Sequence, residues 1–152
     1  MPAHVEMTVM EAAFEAKPIG AEKLRMAYAL MLLGTPDMSF AEFKKWAAGA
    51  SPGRLGGIFD RRGYIHGLFR SRVETKANNV RRLIVSGLIL SDALSSKMTS
   101  HMLDSLVRAA HAQGCDHMTV EAPTHREKGH RLLEILENRG FVDESVLMAA
   151  RV

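Results

Sequence analysis

The chain is poor in the features that mark several classes of protein. Of its 152 residues a single one, Cys115, is cysteine, which excludes an intramolecular disulfide and a cysteine-built zinc site. A reducing, cytoplasmic setting is the expectation that follows. Long hydrophobic runs are missing too: the longest lies around Met26 to Leu33, far short of the roughly 20 residues that span a bilayer. A soluble chain without a membrane partner is expected. The first twenty residues hold no basic stretch leading into an apolar core, so no secretory leader is read there. Internal repeats and low-complexity segments are likewise lacking.

What is present suffices for a packed core. Hydrophobic residues make up 47% of the chain and charged residues 24%, and at this length folding buries roughly two-thirds of the surface of the unfolded chain. One domain over residues 1–152 is expected. The net charge is only +3, but between Arg54 and Arg82 eight basic residues (Arg54, Arg61, Arg62, Arg70, Arg72, Lys76, Arg81, Arg82) face two acids, Asp60 and Glu74. Such a strip suits an anionic ligand, either a phosphorylated cofactor or nucleic acid. It equally suits a solvated sheet edge kept from aggregating by its arginines.

Periodicity orders the elements. Val5 to Val9 reads as a short strand, although Met7 to Met10 equally suits the start of a helix, and Ala21 to Leu33 reads as a helix stopped by Gly34-Thr35-Pro36. Ser39 and Glu42 form a capping box for a second helix carrying Phe40, Phe43, Trp46 and Ala47 on one face. The period then changes to 2. Gly57 to Asp60, a turn at Arg61-Arg62-Gly63, and Tyr64 to Val73 read as a hairpin. On its second strand Ile65, Gly67, Phe69, Ser71 and Val73 share one face, and Tyr64, His66, Leu68, Arg70 and Arg72 the other. A turn at Lys76 to Asn79 leads to Leu83–Leu90, apolar on both sides and therefore central. Gly87 within it marks a bulge or a close approach to the backbone. A helix over 96–113, a strand over 118–121, a helix opened by Thr124 and Glu127 and ended by Gly140, and one last strand or a bent pair over 141–152 complete the chain. The fold class expected is α/β, a mixed central sheet with helices on both faces.

This arrangement resembles the GNAT superfamily of N-acetyltransferases over nearly the whole chain. The resemblance rests on the apolar strand Leu83 to Leu90 running into a helix, the return strand from Gly114 to Glu121, and Arg139-Gly140-Phe141 after the last helix. It implies an acyl-coenzyme A-dependent N-acyltransferase, with acetyl-CoA or another acyl-CoA as co-substrate and a small-molecule or peptide amine as acceptor. In the family the loop after the central strand carries Q/R-x-x-G-x-G/A, whose amides cradle a pyrophosphate at a helix tip. Here Ser95, Met98 and Ser100 stand at the three defining positions, with Ser96, Lys97 and Thr99 among them. The resemblance places the pantetheine arm along the backbone near Gly87 to Leu90, at Leu88 and Leu90. Arg81 or Arg82 would steer the anion. The base taking the amine proton is assigned first to Glu121, at a strand end, and second to His66, on the arginine face of the hairpin. Leu136 stands where many members have a tyrosine that protonates the departing thiolate.

Other constellations carry less. His117, His125 and His130 fall near Cys115 and Glu121, but His125 and His130 are about 140° apart around a helix, so no metal site is expected. Cys115 reads as a small buried residue, and most methionines, Met98 and Met102 included, as core filling. Two rivals to the enzyme stand: a GNAT-like domain that has lost catalysis and serves as a binding module or homodimer, and a helix-turn-helix with Phe40 to Ala50 and the basic hairpin as its wing.

Overall fold

The computed structural model describes residues 14–49, 53–91, 96–121 and 127–142. The chain divides into two compact units after Glu121. The first holds strand β1 (Glu15–Pro18), a 3-10 turn (Ala21–Lys23), helices α1 (Leu24–Met31) and α2 (Phe40–Ala48), strands β2 (Arg54–Phe59), β3 (Ile65–Thr75) and β4 (Arg81–Leu90), helix α3 (Ser96–Ala112) and strand β5 (His117–Val120). The strands form one sheet in the order β1-β2-β3-β4-β5. The first three pairings are antiparallel and β4 pairs with β5 in parallel. That is the mixed sheet the sequence implies, with β4 in its interior.

Helices cover both faces of this sheet. On one, Ala27, Leu30 and Met31 of α1 and Phe43 of α2 pack on Leu55 and Leu68, with Ile65 and Ile89 joining the cluster. Phe43 and Leu68 are fully buried, each such side chain contributing roughly 1.5–3 kcal/mol of transfer free energy. On the other face Met102 of α3 lies over β3. A Cβ at Gly67 would stand 2.9 Å from Ile58, 3.0 Å from Met102 and 3.1 Å from Leu90, so a larger residue there displaces the tips of these three side chains.

Local signals set the element ends. The Ser39 hydroxyl accepts from the Glu42 N–H at 3.1 Å while the Glu42 carboxylate accepts from the Ser39 N–H at 2.9 Å, completing the capping box. Helix α3 closes with Gly114 at φ +76, the Cys115 N–H donating to the Ala110 carbonyl at 2.9 Å and the Gly114 N–H to that of His111 at 3.0 Å. These two bonds are a Schellman closure. Cys115 is buried, as its reading as a small core residue requires. The second unit contains α4 (Glu127–Asn138). It ends the same way, with Gly140 at φ +92 and the Phe141 N–H on the Leu136 carbonyl at 3.0 Å.

Some expectations change and others fall outside the described residues. The first described strand is Glu15–Pro18; Val5 to Val9 lies outside the described residues, as do Thr124 and the terminal strand beyond Val142. The two faces assigned to β3 hold only in part. Between the pairs Phe59↔Ile65 and Ile58↔Gly67 one extra residue, His66, sits on β3, and this bulge brings Ile65 to the Leu68 face.

The basic strip is also broken. Arg70 is 2% exposed, and its guanidinium donates to the carbonyls of Trp46, Gly49 and Gly53 while stacking 4.2 Å from the centre of the Trp46 ring. It fastens the end of α2, adding a donor to the Trp46 carbonyl, which also accepts from the Gly49 N–H at 3.2 Å, and one to the Gly49 carbonyl just beyond. Arg81 is occupied as well, donating at 3.0 Å to the Gln113 carbonyl just past the end of α3. The hairpin read as a wing is two strands of the sheet, which removes the helix-turn-helix arrangement.

Candidate acyl-carrier crevice

The feature that organises the site is where the β4–β5 ladder stops. Its register runs from Arg82↔His117 to Val85↔Val120, and the last rung is the Glu121 N–H donating to the Val85 carbonyl at 2.9 Å. Strand β4 continues through Ser86–Leu90 with no paired strand on that side among the described residues. Five residues at about 3.3 Å each leave roughly 16 Å of open strand edge.

A bulge lies at the start of this open stretch. Between the pairs Arg70↔Ser86 and Leu68↔Ile89, β3 has Phe69 alone while β4 has Gly87 and Leu88. Gly87 is in the left-handed region at φ +60, which glycine adopts without strain. Among the described residues beyond its chain neighbours, no atom lies within 4 Å of the place its Cβ would occupy. Alternation along the strand then fixes what the open edge presents. The Ser91 N–H donates to the His66 carbonyl on β3 at 2.9 Å, so Ile89 also turns its backbone groups toward β3. Leu88 and Leu90 therefore turn their N–H and C=O groups to the open side.

Past Ser91 the chain enters α3 at Ser96. No acidic residue occupies the first turn, so the positive end of the helix dipole, about half an elementary charge, is left uncompensated by carboxylates of that turn. Thr99 is buried, Lys97 is exposed and Met98 is 37% exposed, so Met98 is not the core residue it was read as. Ser95 lies outside the described residues.

No family model matches the sequence, nor does any curated protein. Solved structures do. A ribosomal-protein-alanine N-acetyltransferase from Brucella melitensis biovar Abortus 2308 superposes with a TM-score of 0.70 at 12% identity, over 92% of this chain and 100% of that one. An aminoglycoside N-acetyltransferase in complex with CoA gives 0.65 at 11%, over 91% and 94%. Glucosamine-6-phosphate N-acetyltransferase from Arabidopsis thaliana gives 0.59 at 15%, over 91% and 97%.

The chain has the N-acetyltransferase fold.

Within this N-acetyltransferase fold the residues singled out by sequence fall in two places. Leu88, Leu90 and the turn from Ser96 to Ser100 belong to the open edge and the helix that follows it. Glu121 stands at the opposite end, exposed, at the point where the two strands part. His66 is across from Ser91, six residues and about 20 Å of strand away from Val85. The structure therefore separates the two candidate bases.

His66 is also engaged. Its Nε2 lies 2.8 Å from Asp60 Oδ2, and its ring meets Phe14 edge-on with centroids 5.7 Å apart. The other Asp60 oxygen accepts from the N–H groups of Arg62 at 2.9 Å and Tyr64 at 3.0 Å. Burial acts to raise the Asp60 pKa, but the His66 hydrogen bond, the two N–H groups and the charge on His66 outweigh it, and the carboxyl sits below its ordinary value. Asp60 was missed as His66's partner because the bulge, invisible to a strict period of 2, re-aims the imidazole. Its place before Arg-Arg-Gly was the available signal, since aspartate caps such turns. Among the described residues no helix is long and apolar enough to cross a membrane.

Proposed function

We propose that the protein transfers an acetyl or other acyl group from coenzyme A to an amine. One observation carries the reading: β4 outruns β5 past a glycine bulge, leaving the amides of Leu88 and Leu90 on an open edge that leads to the tip of a helix without acidic residues in its first turn. An extended, amide-bearing arm pairs with such an edge as a strand would, and phosphates favour such a tip. The fold shared with N-acetyltransferases, one of them solved with CoA, supports the same assignment.

Acyl-coenzyme A supplies the acyl group as an activated thioester. On this chain Leu88 and Leu90 hold the arm through their backbone, and Ser96, Lys97, Thr99 and Ser100, with Ser95 before them, receive the pyrophosphate. Glu121 accepts the proton that the acceptor amine loses on attacking the thioester carbonyl. The departing thiolate takes its proton from water. The acceptor is a small-molecule or peptide amine.

Calorimetric titration with acetyl-CoA tests the binding, and release of free thiol with an amine acceptor tests the transfer. Saturable binding with turnover supports the proposal. Replacing Glu121→Gln leaves the affinity for acetyl-CoA in place and slows turnover about a hundredfold at neutral pH; an unaffected rate removes Glu121 as the base. Binding without turnover selects the module that has lost catalysis, the reading that Leu136 and the exposed Met98 favour. Duplex DNA binding that weakens steeply with salt, with no acetyl-CoA binding, overturns the assignment.

A further inference from the structure

A hollow of about 390 Å³ opens at the surface away from the β4 edge, lined by Ala21, Glu22, Leu24, Arg25, Phe40 and Lys44. Its walls come from the 3-10 turn, the start of α1 and the start of α2. The Phe40 ring is held from below: it meets Tyr28 edge-on at 5.3 Å between centroids, and the Tyr28 hydroxyl donates to the Met38 carbonyl at 2.7 Å. Over the same ring stand two cations, the Arg25 guanidinium at 4.5 Å from its centre and the Lys44 ammonium at 5.7 Å.

Neither cation forms an ion pair among the described residues. The carboxylate in the wall does not neutralise them. Glu22 folds back over the preceding backbone, its two oxygens 2.6 and 2.8 Å from where a Cβ on Gly20 would stand. The lining therefore carries a net charge of +1, two cations on one aromatic ring against the single carboxylate of Glu22. A guanidinium offers a planar fork of donors and an ammonium a compact point charge, a pair suited to a carboxylate or phosphate.

We propose that this hollow is a binding site for a small ligand bearing an anionic group on an aromatic or similarly flat apolar body. The anion lies between Arg25 and Lys44, and the body rests against Leu24 and Phe40. The site shares no residue with the crevice along β4, so its occupancy does not depend on acyl-carrier binding.

Phenyl phosphate is the probe, with inorganic phosphate as the second arm, and two-dimensional NMR of the amide signals is the readout. Signals of residues 21–25 and 40–44 shift saturably with phenyl phosphate, and inorganic phosphate binds about fivefold or more weakly because it leaves the apolar wall uncovered. The double replacement Arg25→Ala with Lys44→Ala weakens phenyl phosphate about tenfold or more. Acetyl-CoA binding and thermal stability stay as in the parent. Lys44→Gln alone, at an exposed helix position, gives a smaller loss in the same direction and guards against a fault in the folding of the double variant. The proposal is overturned by any of three results: no saturable shift at those amides, equal affinity for inorganic phosphate, or undiminished phenyl phosphate binding in the double variant.

Discussion

Replacing Arg70→Met removes one guanidinium from three carbonyl acceptors at once. Arg70 donates to Trp46, Gly49 and Gly53 and is 2% exposed, so methionine there takes away the donor that joins all three. Hydrogen bonds to a charged group contribute about 1.5–3 kcal/mol each, which puts three at roughly 5–9 kcal/mol before the desolvation of the guanidinium is set against them. That desolvation is real: burial lowers the Arg70 pKa. A carbonyl left short of a partner costs about 1–3 kcal/mol, and the guanidinium's own desolvation is recovered on removal, so about 3–5 kcal/mol net is expected for the three together, and methionine keeps most of the volume against Trp46. For a chain of this size each kcal/mol moves the midpoint by about 2–4 °C, so a fall of roughly 6–20 °C is expected. Arg70→Lys keeps the charge but offers a point donor in place of a planar fork, and falls between the two. Thermal unfolding and urea midpoints at an unchanged urea dependence are the assays. A methionine variant within about 1 kcal/mol of the parent, or a lysine variant equal to it, refutes the view that Arg70 is the fastener between β3 and the end of α2.

Three further outcomes are expected. Gly87→Asn keeps near-parental stability, because asparagine tolerates the left-handed region and space is open around the site, whereas Gly87→Val loses about 1–2 kcal/mol. Both lower acetyl-CoA affinity by about tenfold or more by placing a side chain beside the exposed amides; parental affinity in the stable Asn variant places the ligand elsewhere. Ser96→Glu puts an acid at the tip of α3, which leaves the unfolding free energy level or raised by about 0.3–1 kcal/mol while acetyl-CoA affinity drops, a split that a merely destabilised protein does not produce. Asp60 has a lowered folded-state pKa, so the stability it confers is present in full above the ordinary aspartate value of 3.8 and is lost as pH falls through the lower folded value. The stability difference between the parent and Asp60→Asn, followed by urea unfolding, is therefore largest near neutral pH and closes below pH 3.8; a gap that widens with acid contradicts this.

Much of this architecture is legible along the chain because its signals are local. Ser39 and Glu42, the Arg61-Arg62-Gly63 turn, Gly114 and Gly140 each act within a few residues of themselves, and each stands where its chemistry puts it. Gly87 reads correctly as a bulge for the same reason: a glycine inside an apolar strand has few other uses. The failures are non-local. Strand β1 is four residues at the sheet edge, mostly exposed and ending in Pro18, so neither alternation nor composition betrays it. Arg70 looks like one more surface arginine until α2, more than twenty residues earlier, delivers its carbonyls. The pairing of His66 with Asp60 depends on a one-residue slip in β3 that a period-2 pattern cannot express. At the crevice itself, the parting of β4 from β5 is a property of two strands together and is written in neither alone.

The half-finished ladder along Ser86–Leu90 also bears on how the purified protein keeps. A row of amides that no described strand pairs, in a segment as apolar as Leu88-Ile89-Leu90, is a docking template for any stray extended chain. A molecule that lies along this row during storage shields it from such encounters, so the shelf life of the protein in its presence is governed by occupancy of the groove as well as by the melting point.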